Sequence, residues 1–74
     1  MTRDRRNIGI GIIGTGKIGV QRARLAALHP AVDFVAVMDA DQERAEEVGR
    51  AINADLVATS IDELVSHDRV DAII

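Results

Sequence analysis

The chain has no cysteine, tryptophan or tyrosine, and only one phenylalanine and one proline in 74 residues. Without cysteine it has no disulfide, zinc–thiolate site or cysteine nucleophile. That absence suits a cytoplasmic protein. One aromatic, Phe34, is too few for a base-stacking surface. A formal net charge of −3 argues against a general nucleic-acid binder. No apolar run reaches the roughly 20 residues of a membrane-spanning helix. Neither nucleic acid nor membrane is therefore an expected partner. No metal-ligand cluster, internal repeat or low-complexity segment stands out. The length allows one domain at most. Arg3, Arg5 and Arg6, with Asp4, make the start from Met1 to Asn7 basic. No apolar h-region follows, so this is no secretory signal, and a solvated lead-in is the simpler reading than a basic arm.

What is present in quantity is glycine near the N-terminus. Ile8 to Ile13 is a continuous apolar run, as a buried parallel strand requires. It leads into Gly14-Thr15-Gly16-Lys17-Ile18-Gly19, a G-x-G-x-x-G, and a helical pattern follows at once. The first glycine lets the chain turn tightly. The second lets the backbone approach a pyrophosphate. The third lets the helix pack close to the strand. The amides of Lys17 and Ile18, at the positive end of the helix dipole, would face the phosphates. A lone glycine turn is weak evidence, but Asp39 closes a second strand-like run about twenty residues on, where an acid meets the adenosine ribose. The candidate cofactor-binding set is therefore Gly14, Gly16, Lys17, Ile18, Gly19, Asp39 and its neighbour Ala40. An acid at this place repels a 2′-phosphate, which favours NAD, with NADP as the alternative.

Gly11 to Lys17 also matches the phosphate-binding G-x-x-x-x-G-K. The next residue, Ile18, cannot ligate magnesium as the Ser or Thr of that motif does, and Ile12 and Ile13 read as strand.

The remaining chain alternates. A first helix is expected from Lys17 to Leu28. Gly19, Ala23 and Ala26 form its narrow face, with Ile18, Leu25 and Leu28 adding bulk beside it and Arg22 and Arg24 outward. Pro30 ends it. Val32 to Met38 is the second strand. Asp41 caps a second helix with Ala45, Val48 and Ile52 on one face and charge on the other, ending at Asn53-Ala54. Gly49 weakens that helix slightly. Arg44 is expected to pair with a helical glutamate. Leu56 to Ala58 is a short third strand. Ser60-Ile61-Asp62-Glu63 is a capping box opening a third helix, which ends near His67-Asp68. Val70 to Ile74 begins a fourth strand. His29 and His67 are expected at helix C-termini, where a partly protonated imidazole suits the dipole. Asp68 and Asp71 read as turn and strand-edge residues.

The order β-α-β-α-β-α-β predicts an α/β chain: a Rossmann-type, doubly wound parallel sheet with right-handed crossovers. The fourth strand should cross back beside the first. A chain stopping inside that strand leads to the expectation that residues 1–74 are the N-terminal part of a dinucleotide-binding domain.

Three stretches together resemble the glucose–fructose oxidoreductase, inositol dehydrogenase and rhizopine-catabolism family, Gfo/Idh/MocA. They are Gly11-Ile12-Ile13-Gly14-Thr15-Gly16-Lys17-Ile18-Gly19, Val35-Ala36-Val37-Met38-Asp39-Ala40-Asp41 leading into Glu43-Arg44-Ala45, and Thr59-Ser60-Ile61-Asp62-Glu63-Leu64 followed by Asp68-Arg69-Val70-Asp71-Ala72-Ile73-Ile74. The resemblance implies an NAD(P)-dependent oxidoreductase passing hydride between the nicotinamide and a sugar- or cyclitol-type alcohol or carbonyl. It implies a second α/β domain with the substrate site, a homo-oligomer, and a catalytic lysine in a Glu-Lys-Pro motif beyond this chain. No catalytic residue is therefore expected among these 74 residues. Lys17, at the phosphate turn, is not that lysine. Two other readings use similar elements: an NAD-sensing regulatory module without catalysis, and a methyltransferase that binds S-adenosylmethionine.

Overall fold

The computed structural model describes residues 8–74. The lead-in expected over Met1 to Asn7 lies outside the described residues. The elements run β1 (Ile8–Ile13), α1 (Lys17–Leu28), β2 (Val32–Met38), α2 (Gln42–Ile52), β3 (Leu56–Ala58), α3 (Ile61–Ser66) and β4 (Ala72–Ile73). The strands form one sheet in the order β3-β2-β1-β4. Every pairing is parallel. The chain thus steps outward from β1 to β3 and then returns to the other side of β1. That reversal is the switch point of a Rossmann-type sheet, beside which ligands bind.

Both faces of the sheet are covered, which is why its strands are mostly apolar, with the exposed Asp33 of β2 the one charged residue in them. Side chains alternate across the pleat. Ile12, Val35 and Val37 meet Ala23 of α1 and Val48 of α2 on one face. Ala36 and Ala58 meet Leu64 of α3 on the other, with Phe34, Met38 and Val70 around them.

α1 lies close to the sheet because its contact face is small. Ala23 is fully buried, and Ala26 packs partly buried against the same cluster. The expectation for Ile18, Leu25 and Leu28 is corrected: they are 62, 70 and 82 % exposed. At roughly 100° per residue they fall on the side of the helix opposite Ala23, out of reach of the sheet.

α2 begins as expected, with the Asp41 carboxylate accepting the Arg44 N–H at 3.3 Å. It ends on Asn53, whose φ of 56° is left-handed, a conformation asparagine tolerates. Gly49 has a packing role: a Cβ there would overlap Val57 of β3. At α3 the Ser60 hydroxyl accepts the Glu63 N–H at 3.1 Å. The reciprocal half of the capping box is displaced by one residue. Glu63 Oε1 accepts the Thr59 N–H at 2.6 Å rather than that of Ser60.

His29 and His67 are the C-caps of α1 and α3. Each accepts through Nδ1 the backbone N–H two residues on, from Ala31 at 3.0 Å and Arg69 at 3.1 Å. These contacts close the turn that follows each helix. His67 also stacks on Phe34 at 5.0 Å. Arg69 lies over the same ring and pairs with Asp33 at 2.9 Å. Asp71 accepts the Gly9 N–H at 2.7 Å, at the edge of β1. β4 is shorter than the Val70 to Ile74 expected, although its bonding to β1 extends to Asp71 and Ile74, whose N–H groups donate to Gly9 and Gly11.

Candidate functional site

The site is built where β1 and β2 end together. Their register pairs Ile13 with Met38. The residues that follow each strand therefore emerge side by side at the C-terminal edge of the sheet. Gly14 turns with φ +92°, open to glycine and strained for other residues. Its N–H donates to the Met38 carbonyl at 2.8 Å, tying the turn to the end of β2. β1 runs through Gly11, Ile12 and Ile13, so no phosphate loop of the G-x-x-x-x-G-K kind forms there.

The glycines differ in what a side chain would meet. A Cβ on Gly19 would run into the carbonyl of Gly14. Absence of a side chain is what lets the first turn of α1 close over the loop. A Cβ on Gly16 would meet nothing within 4 Å, and Gly16 has the ordinary φ of −70°. Packing within this chain does not demand a glycine there.

Gly16 is the N-cap of α1, and among the described residues no side chain accepts a hydrogen bond from the first turn. No acidic residue lies in that turn either. The amides of Lys17 and Ile18 thus stand at an uncompensated positive helix end. Both residues are exposed.

Asp39 joins this arrangement from β2. Its Oδ2 accepts the Thr15 N–H at 2.6 Å and the Thr15 hydroxyl at 2.8 Å. Its Oδ1 accepts the Asp41 N–H at 2.8 Å. The Asp41 amide, then the Thr15 amide and hydroxyl, with a smaller effect of the Arg44 charge, hold the carboxyl down at about 2. Asp39 is therefore an anion throughout the neutral range. A carboxylate offers about four lone-pair sites, and these three bonds leave one, on Oδ1. The pair with a helical glutamate expected for Arg44 is not among the ion pairs of the described residues; its charge acts on Asp39. Ala40 is exposed beside the site.

The structure thus gathers Gly14, Gly16, Lys17, Ile18, Gly19, Asp39 and Ala40 at one edge. It adds one residue that the sequence reading passed over. Thr15, 3 % exposed, is the only buried polar side chain of the described residues. Its signal was present as a small hydroxyl residue between the first two glycines, but its partner lies 24 residues away. The arrangement suits a dinucleotide: open space at Gly16 and free amides for a pyrophosphate, and a fixed anion for a ribose hydroxyl. Among the described residues, no helix is long and apolar enough to cross a membrane.

Known structures carry the same fold. The chain superposes on GenD2 of gentamicin A biosynthesis, solved in complex with NAD, with a TM-score of 0.81 and 25 % identity, covering 90 % of this chain and 19 % of that one. For a putative myo-inositol dehydrogenase from Sinorhizobium meliloti 1021 the TM-score is 0.79 at 27 % identity, covering 90 % and 20 % of the two chains. For a 3-ketoreductase from Actinomadura kijaniata, in complex with NADP and TDP-benzene, it is 0.74 at 26 % identity, covering 90 % and 21 %. An uncharacterized oxidoreductase of Streptococcus pneumoniae serotype 4 (strain ATCC BAA-334 / TIGR4) is 38 % identical over 64 residues, which are 86 % of this chain. The chain spans only 17 % of that curated relative's length. Residues 8–74 match the sequence profile of an oxidoreductase family with an NAD-binding Rossmann fold, and the chain belongs to that family, Gfo/Idh/MocA.

Proposed function

We propose that residues 1–74 form the N-terminal, cofactor-holding part of an NAD-dependent oxidoreductase acting on a sugar- or cyclitol-type alcohol or carbonyl. The observation that carries the cofactor half is the meeting of the glycine turn with Asp39. Gly14 makes the turn, Gly16 leaves room for the pyrophosphate, and the amides of Lys17 and Ile18 bind it. Gly19 brings the helix end within reach. Asp39, with Ala40 beside it, receives one adenosine ribose hydroxyl on the lone pair left at Oδ1. A 2′-phosphate would meet a fixed negative charge instead, so NAD is the preferred dinucleotide and NADP the weaker one.

Bound NAD supplies the hydride chemistry. The residues of this chain bind and orient it; none of them is assigned a catalytic role. The proton-transferring group and the substrate pocket belong to a second domain in the remaining length of the protein. The substrate class rests on the family resemblance and on the relatives, a putative myo-inositol dehydrogenase and a 3-ketoreductase among them. A homo-oligomer and a cytoplasmic location fit the same reading, the latter with the absence of cysteine. Membership of an oxidoreductase family leaves the sensor and methyltransferase readings without an observation in their favour.

The test is a titration of the full-length protein and its Asp39→Ala variant with NAD and NADP. NAD should bind more tightly than NADP, and the substitution should weaken NAD by about tenfold, the worth of a hydrogen bond to a charged group. Unchanged NAD affinity in the variant would remove Asp39 from the ribose site.

A further inference from the structure

We infer that Thr15 is a specificity-determining positioning residue, which selects NAD over NADP by holding the Asp39 carboxylate in one orientation. This rests on the proposed role of Asp39 at the ribose.

Thr15 is buried, and its side chain has one described polar contact, the Asp39 Oδ2. Its amide donates to the same oxygen. Oδ2 is therefore occupied by two donors from the glycine turn. Oδ1 is held by the Asp41 amide and retains the one acceptor site directed outside the network. With both oxygens tethered, the carboxylate cannot rotate without breaking bonds on the turn or on the segment after β2. A neutral hydroxyl gains from such a fixed acceptor, because no side-chain freedom is lost on binding. A 2′-phosphate is penalised for the same reason, since the carboxylate can neither swing away nor readily take up a proton. Loss of the Thr15 hydroxyl would release one of the three tethers while leaving both backbone amides. The carboxylate would then be held by one amide on each oxygen, so that turning from a phosphate would break fewer bonds and its hold on the ribose would loosen. The effect on the two dinucleotides is opposite in direction, which a simple loosening of the loop would not produce.

The experiment uses the full-length protein with Thr15→Val, which keeps the shape, Thr15→Ala, which removes it, and Thr15→Ser, which keeps the hydroxyl. Kd values for NAD and NADP are measured for each, alone and combined with Asp39→Ala. The NADP-to-NAD ratio of Kd should fall by about tenfold in Thr15→Val or Thr15→Ala, roughly the worth of a charged hydrogen bond. Thr15→Ser should restore it. In the Asp39→Ala background the Thr15 substitutions should have no further effect on the ratio. The Asp39 carboxyl, followed by NMR, should titrate above its value of about 2, because a donor that favours the anion has gone. Equal weakening of both dinucleotides, or an unmoved Asp39 titration, overturns the inference. If Asp39→Ala weakens NAD while Thr15→Val leaves the ratio at the wild-type value, the inference alone fails. If Asp39→Ala changes nothing, the ribose assignment fails and this inference with it.

Discussion

Two helix starts in this small sheet are built in opposite ways. α3 opens on Ser60, whose hydroxyl accepts the Glu63 N–H, while Glu63 reaches back to Thr59. Asp62 and Glu63 put negative charge in its first turn. α1 opens on Gly16, with no side-chain cap and no acid in its first turn. Each helix begins with amides that lack intrahelical partners. At α3 the Ser60 hydroxyl takes one of them, the Glu63 N–H, and two acids lie at the positive end. At α1 the amides and the positive dipole end have no such partner among the described residues, which is the arrangement the proposed pyrophosphate site uses. The difference separates a capped helix start from an uncapped one, and the proposed cofactor site lies at the uncapped one. α2 follows the capped pattern, with Asp41 as its cap.

Substitution at Gly19 should have the largest effect. In Gly19→Ala the new methyl meets the Gly14 carbonyl, backbone against which no side chain can yield. A loss of about 3 kcal/mol, the upper part of the usual overpacking range, is expected in chemical denaturation. A variant of wild-type stability would mean that the close approach at the turn is not what requires this glycine. Next comes Ser60→Ala at the capped start. It should cost about 1 kcal/mol, as lost N-caps do, while the Kd for NAD stays unchanged. A shift in that Kd would blur the division between capped and uncapped helix ends. The smallest stability change is expected for Gly16→Ala, within about 0.5 kcal/mol of wild type, because its methyl meets nothing in the chain. NAD binding should nevertheless weaken by about tenfold, since that methyl would stand where the pyrophosphate approaches. Intact NAD binding in Gly16→Ala would show that the open space has no part in the site.

Local chemistry made much of this molecule legible in advance. The strand-turn-helix at Ile8 to Leu28 follows from an apolar run, a glycine turn and Pro30 after the helix. The caps at Asp41 and Ser60 were readable because a cap and its amide lie within one helical turn. Errors appeared where helical phase had to decide. Ile18, Leu25 and Leu28 are apolar but face away from the sheet, since small Ala23 and Ala26 were chosen for the contact. The capping box slipped by one residue because Glu63 is long enough to choose between neighbouring amides. The two histidines were placed correctly at helix ends, but their bonding depended on the turn geometry that follows each.

The sequence alone determined the alternating order of strands and helices, the glycine turn and an acid after the second strand. Each of these is set by residues within one or two turns of each other. Only the tertiary structure decided that Asp39 spends one carboxylate oxygen on Thr15 and keeps a single acceptor site on the other. That outcome follows from the parallel register of β1 and β2, which places Ile13 beside Met38. Register joins residues far apart in the chain through backbone groups that are chemically alike in every residue. Strands apolar on both faces offer little alternation to fix it, and packing of helices on both faces of the sheet has to do so.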